Sequence, residues 1–284
     1  MNPIDTAMQE ALALPAVPLT LEGSAVLHQM MRFRRAEWTR LPKAERAQIL
    51  GDAESALLGM EAEGSALFSL YGHKGDVLFV HFRENFEALN TAQLALARLR
   101  LSELLEPVGS YVSMVELGLY ESSVKLYRQL AERGVKPHSE EWNKAAGELM
   151  ERQRQAMRPR LYPAIPDFRY ICFYPMDRRR GEDKNWYVLP IEERQRQMDE
   201  HGTVGRRWAG KVQQIISGSI GFDDWEWAVD LFSDSPVEFK KLIYEMRFDE
   251  VSGVYSNFGA FYLGLRCAAS QLGRVLDGYS PAQK

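Results

Sequence analysis

Trp38-Thr39-Arg40-Leu41-Pro42-Lys43-Ala44-Glu45-Arg46 is echoed 148 residues later by Trp186-Tyr187-Val188-Leu189-Pro190-Ile191-Glu192-Glu193-Arg194. Trp, Leu, Pro, Glu and Arg keep their spacing in both copies. Each Pro opens a helical run, where its fixed φ and missing N–H cost least. The segments downstream of the two copies repeat as well. Gly72-His73-Lys74-Gly75-Asp76 leads into a strand at Val77–Phe82, and Gly221-Phe222-Asp223-Asp224 leads into one at Trp225–Phe232. Helical runs Phe86–Leu101 and Pro236–Arg247 come next, then strands Ser110–Leu117 and Val254–Leu265. Each half therefore reads β-α-β-β-α-β, the ferredoxin-like order. The fold class is α+β, with two ferredoxin-like repeats forming a dimeric-type α+β barrel in one chain.

This reading divides the chain into a flexible leader at 1–20, an N-terminal half at 21–117, a mostly helical connector at 118–159 and a C-terminal half at 160–278. Two-fold repetition alone would let either half hold a ligand, but the candidate chemistry falls in the second. A length of 284 residues, 45% hydrophobic and 26% charged, is ordinary for a soluble globular protein. No apolar run reaches the ~18–20 residues of a membrane span. The first 20 residues carry Asp5 and Glu10 and lack a basic secretory start. Two cysteines, Cys172 and Cys267, give no disulfide framework and fit a reducing cytoplasm.

Charge is unevenly placed. Residues 152–180 hold eight arginines against Asp167 and Asp177, a local +6 in a chain of net −4, so the rest sums to −10. That remainder would repel phosphates, which argues against a nucleic-acid partner. A small polycarboxylate suits the arginines better, because guanidinium forks pair with carboxylates in two-point geometry.

The second half collects the reactive side chains. His201, followed by Gly202 as a C-cap, ends the helical run from Pro190. Tyr174 lies 27 residues before it, between the apolar strand Tyr170–Phe173 and Pro175, which sets the phenol at a strand end. Gln214 lies 13 residues after it, on a strand at Val212–Ser217, where alternation turns either Gln213 or Gln214 inward.

Arg160-Leu161-Tyr162-Pro163, Phe173-Tyr174-Pro175-Met176-Asp177-Arg178, Glu200-His201-Gly202, Gln213-Gln214 and Tyr244-Glu245-Met246-Arg247 through Ser252 keep an order and spacing that resembles the coproheme decarboxylases of the chlorite dismutase superfamily. The resemblance runs from about residue 21 to 266. It implies oxidative decarboxylation of two propionates of iron coproporphyrin III (coproheme) to vinyls, giving haem b, with hydrogen peroxide as oxidant. The porphyrin is then both substrate and redox centre. On the same resemblance His201 ligates the iron, Tyr174 becomes a neutral radical, and Gln214 faces the peroxide. Arg160, Arg178, Arg247 and Ser252 hold propionates. Gln214 stands where chlorite-degrading relatives carry arginine, which argues against chlorite as substrate. Many relatives carry lysine where this chain has Arg178. Trp186 and Trp227 match aromatic positions near the pocket; they could carry stray oxidising equivalents, with core packing the favoured reading for both. A carboxylate behind His201 is expected from Glu245, Asp249 or Glu250. The resemblance also implies a homopentamer and a transient contact with ferrochelatase. The alternatives are a haem carrier or sensor, and a chlorite dismutase.

Overall fold

The structure is a computed structural model and describes residues 14–281. The first half comprises β1 (Thr20–Phe33), α1 (Arg35–Arg40), α2 (Lys43–Ala62), β2 (Ser65–Leu70), β3 (Val77–Arg83), α3 (Phe86–Ala97) and β4 (Leu105–Gly118). Two connector helices come next, α4 (Tyr120–Glu132) and α5 (Glu140–Leu161). The second half comprises β5 (Tyr170–Arg178), α6 (Ile191–Arg207), β6 (Gln213–Gly218), β7 (Trp227–Ser233), α7 (Pro236–Met246), α8 (Glu250–Gly253), β8 (Ser256–Phe258), β9 (Tyr262–Cys267) and α9 (Leu272–Leu276).

The halves have the same sheet order, β4-β1-β3-β2 and β9-β5-β7-β6. They join along β2–β9 and β4–β6, so eight strands close into one barrel with β8 as a short addition beside β5. Closure removes the exposed edges that open sheets must otherwise protect. Val26, Phe68, Val80, Phe173 and Phe232 fill the interior from both halves. His28 and Asp230, both fully buried, bridge β1 and β7 through a 2.8 Å contact between Nε2 and Oδ1.

The prolines of the two repeats take the same conformation. Pro42 and Pro190 are the N-caps of α2 and α6, with φ/ψ of −56/147° and −53/145°. Both tryptophans are buried. The halves differ in what covers their outer faces. In the first, Leu272, Val275 and Leu276 of α9 pack among Phe33, Trp38 and Ile49 and fill the space under α2. Residues 269–276 thus complete the core of the first half, although they come after the second in sequence. Among the described residues no such plug covers the second half, where a cavity remains.

Several expected boundaries move for physical reasons. The helix through His201 does not stop at Gly202 but continues to Arg207. Val204 is buried against the second-half core and Arg207 pairs with Glu245 at 2.9 Å, which together outweigh the ~1 kcal/mol cost of a helical glycine. The left-handed turn falls at Gly210, φ 84°. Strand β5 runs through Pro175, so Tyr174 is mid-strand rather than at an end. Its neighbour β9 pairs Tyr170–Phe173 and β8 pairs Met176–Arg178, so the missing N–H of Pro175 falls at the break between them. That break divides the strand expected at 254–265, and the ones expected at 225–232 and 110–117 are Trp227–Ser233 and Leu105–Gly118. Helix α3 stops at Ala97, and a tighter turn at Arg100–Leu104 completes that run.

Of the leader, residues 1–13 lie outside the described residues. Leu14 and Leu19 pack on the connector core, and the Val17 carbonyl accepts a 2.9 Å hydrogen bond from Tyr127 Oη. Strand β1 begins at Thr20, and α5 extends to Leu161, so Arg160 belongs to the connector helix.

Candidate functional site

A cavity of about 1050 Å³ lies between the outer face of β5, β7 and β6 and the helices α6 and α7. Arg160, Tyr174, Arg178, His201, Gln214, Arg247 and Ser252 all line it, so these seven residues converge on one space.

The register decides which glutamine faces the cavity. Tyr174, Val229 and Ile216 form one cross-strand row, and Cys172, Leu231 and Gln214 form a neighbouring row on the same face. Paired residues in a sheet share a face, so Gln214 points to the same side as Tyr174. Gln213 pairs with Phe232 of the barrel interior and so starts from the opposite face, although it also borders the cavity. Helix α6 approaches closely here: a Cβ on Gly205, one turn beyond His201, would lie 3.3 Å from Gln214 Nε2.

His201 is held from behind. Its Nδ1 lies 2.8 Å from Asp249 Oδ2, while Asp249 Oδ1 accepts the Ser252 amide at 2.7 Å as the N-cap of α8. Ser252 Oγ sits 3.4 Å from the same Nδ1. The cap thus fixes the carboxylate, and the carboxylate fixes the ring. Burial alone would raise the Asp249 carboxyl, but His201 and the Ser252 amide hold it below its ordinary value. The other two acids considered for this place are engaged elsewhere. Glu245 accepts from Trp208 Nε1 at 2.7 Å, and Glu250 pairs with Arg196 at 2.6 Å. With Nδ1 engaged, Nε2 is the nitrogen left for a ligand, and an anchored neutral imidazole is a common iron ligand.

Tyr174 is 5% exposed and stacks on Phe261 at 4.5 Å. Among the described residues nothing hydrogen-bonds its phenol oxygen. Burial, then the neighbouring Cys172, push its ionisation well up against the opposing charges of Arg247 and Arg178, so it is a neutral phenol at pH 7.

The cavity is cationic. Five arginines line it, at 160, 178, 194, 206 and 247, and among the described residues none forms an ion pair. Arg196, on the outer side of α6, is by contrast ringed by Glu193, Glu200 and Glu250. Arg178 lies over Trp186 at 4.9 Å and Trp227 at 5.9 Å and donates to Ser256 Oγ at 2.6 Å. Arg247 lies 3.5 Å over the Phe258 ring. Arg160 and Arg206 are exposed, but Arg178, Arg194 and Arg247 are buried or half-buried; such guanidinium groups without carboxylate partners are costly, and a polyanion supplies what they lack.

Arg194 and Arg206 were not singled out in the sequence. Arg194 is 4% exposed, its Nε has no partner, and it donates to the Ala16 carbonyl. It was visible as the last residue of the repeat. Its counterpart Arg46 pairs with Asp277 at 3.6 Å, a partner supplied by the plugging C-terminal segment. Among the described residues the two copies thus differ in two ways: Arg194 has no acidic partner, and no C-terminal segment packs over the second half.

Among the described residues no group of His, Cys, Asp and Glu is arranged to hold a bare metal ion. No helix there is long and apolar enough to cross a membrane. A planar ligand bringing its own metal suits one histidine opposite a sheet face.

Comparison with known proteins agrees with this geometry. Residues 46–267 match the chlorite dismutase family model. A coproheme decarboxylase of Staphylococcus saprophyticus is 38% identical over 260 residues, 88% of this chain and 94% of that protein. A protein of Haloquadratum walsbyi is 39% identical over 268 residues, 92% of this chain, and the chain spans about half of its length (47%). A solved heme-binding protein of Thermus thermophilus superposes with a TM-score of 0.79 at 36% identity, covering 93% of this chain and 99% of that one. A mutant chlorite dismutase of Candidatus Nitrospira defluvii shares the fold, with a TM-score of 0.66 at 14% identity, over 95% and 98% of the two chains. With a duplicated barrel, one unplugged face and a matched family model over most of its length, the chain belongs to the chlorite dismutase family.

Proposed function

We propose that the protein converts iron coproporphyrin III to haem b by oxidative decarboxylation of two propionates, with hydrogen peroxide as oxidant. The observation that carries this reading is a buried, oxidisable phenol among arginines: of the three tyrosines that line the cavity (Tyr120, Tyr174 and Tyr187) Tyr174 is the buried one, and the five arginines form no ion pair among the described residues. A tetracarboxylate uses those arginines; chlorite needs one. Similarity to a coproheme decarboxylase over 88% of the chain supports the same choice.

His201 Nε2 would hold the iron, oriented through Asp249. The bound iron supplies oxidising power once peroxide arrives. Tyr174 relays it as a neutral radical, taking a hydrogen atom from the β-carbon of a propionate. Release of carbon dioxide and one further electron then leaves a vinyl group. Arg160, Arg178, Arg247 and Ser252 keep the arms in reach, which makes the abstraction effectively unimolecular. Gln214 offers the peroxide a neutral amide and no cation. Placement in a reducing cytoplasm suits Cys172 and Cys267, which are buried and unbridged, with burial pushing each thiol up to about 12. A homopentamer and contact with ferrochelatase belong to this reading by resemblance.

Spectrophotometric titration with iron coproporphyrin III and with haem b separates enzyme from carrier. A decarboxylase must release its product, so the four-propionate porphyrin should bind about 10-fold or more tightly, about 1.4 kcal/mol. Equal affinity, or tighter binding of haem b, would favour the carrier.

A further inference from the structure

Each vinyl formed consumes a proton. A propionate arm (–CH2–CH2–COO⁻) with H2O2 and H⁺ gives –CH=CH2, CO2 and two waters. The β-carbon loses one hydrogen, the carboxyl carbon leaves oxidised, and peroxide is reduced. The five arginines are poor proton sources, because guanidinium groups do not deprotonate in this range. The question is which group on the cavity wall carries a transferable proton.

Among the described residues, the cavity is lined by one carboxyl group, Glu116, contributed by β4 of the opposite half. Strands β4 and β6 pair Met114 with Gly218 and Val115 with Ser217, and continuing that register sets Glu116 beside Ile216. Ile216 shares its row with Val229 and Tyr174. Glu116 and Tyr174 therefore lie on one line across the cavity floor, three strand spacings or roughly 14 Å apart. The carboxyl is seated closely. Its Oε1 is 3.4 Å from Trp227 Nε1, and a Cβ on Gly218 would lie 2.3 Å from its Oε2, so the bare glycine makes the seat. No arginine forms an ion pair with it among the described residues.

We propose that Glu116 is the proton donor of this pocket, giving up its carboxyl proton for each decarboxylation and regaining it from solvent on the side of exposed Glu22. The inference rests on the decarboxylase reading above. Charged and titratable groups facing Glu116 are Glu22 on β1 and Tyr120 on α4, with Trp227 of β7 as its hydrogen-bond donor. Burial first, and the charge of Glu22 next, raise the Glu116 carboxyl above its ordinary value, and Trp227 only partly opposes them. A raised value keeps the proton on at low pH and loses it as pH rises, so donation should fail on the alkaline side.

Glu116→Gln preserves an acceptor for Trp227 and removes the proton. An infrared pH titration of the porphyrin-free protein should show a protonated carboxyl persisting above the ordinary glutamate range, absent in Glu116→Gln. The wild-type decarboxylation rate should fall as pH rises through the same midpoint. Glu116→Gln should be about 10²-fold slower and without that limb, and Glu116→Asp should retain a pH-dependent limb. A Glu116→Gln protein with wild-type rate and pH profile, or no such carboxyl signal, overturns the assignment. A wild type that forms no vinyl at any pH overturns the decarboxylase reading itself, and the proton-donor role with it.

Discussion

Tyr174→Phe is expected to bind iron coproporphyrin III as the parent does and to form essentially no vinyl groups. The ring stacks on Phe261 at 4.5 Å and sits near Phe258 at 5.9 Å, so phenylalanine keeps every packing contact. Since nothing in the protein hydrogen-bonds the phenol oxygen among the described residues, its removal orphans no buried partner. The structural cost should be small, within about 1 kcal/mol. The chemical cost should be large. A neutral buried phenol gives up a hydrogen atom and can take one back from a propionate β-carbon; a phenyl ring cannot at comparable driving force. A loss of about 10³-fold or more, some 4 kcal/mol in the barrier, is expected. Chromatography of the porphyrin after peroxide addition reads this directly, and a parental rate in the variant would remove Tyr174 from the reaction.

The second large effect is expected at His201. His201→Ala should abolish the imidazole-ligated iron spectrum and weaken porphyrin binding, because no other imidazole lines the cavity among the described residues. Asp249→Asn should act in the same direction but less strongly. It leaves the ring in place and loses the charge behind Nδ1, an effect typically worth about 10–100-fold in metal affinity. Optical titrations and electron paramagnetic resonance of the three proteins give the order wild type, Asp249→Asn, His201→Ala. An unchanged ligand-field signature in His201→Ala would place the iron on another residue.

Much of this was legible in the chain. The Trp-x-x-Leu-Pro-x-x-Glu-Arg repeat revealed the duplication because both copies keep the residues that set a buried tryptophan and a proline N-cap. These are local requirements, written in adjacent positions. Seven site residues converge on one cavity, as their order and spacing suggested. What was hidden depends on distant packing. Gly202 reads as a helix stop, yet contacts made by Val204 and Arg207 carry the helix past it. Pro175 reads as a strand end, yet it is accommodated where two partner strands leave a gap. The choice among Glu245, Asp249 and Glu250 required knowing that α8 turns Asp249 back toward His201. Arg194 looked like part of a structural repeat until its missing acidic partner became visible beside Arg46–Asp277.

The central claim is tested most directly by loading the protein anaerobically with iron coproporphyrin III, adding hydrogen peroxide stepwise, and following the porphyrin by mass spectrometry. Two successive losses of a carboxyl group with its hydrogen, one per peroxide equivalent and ending at haem b, are the expected result. A porphyrin that bleaches without losing either carboxyl group would contradict the account and leave the cavity as a binding site.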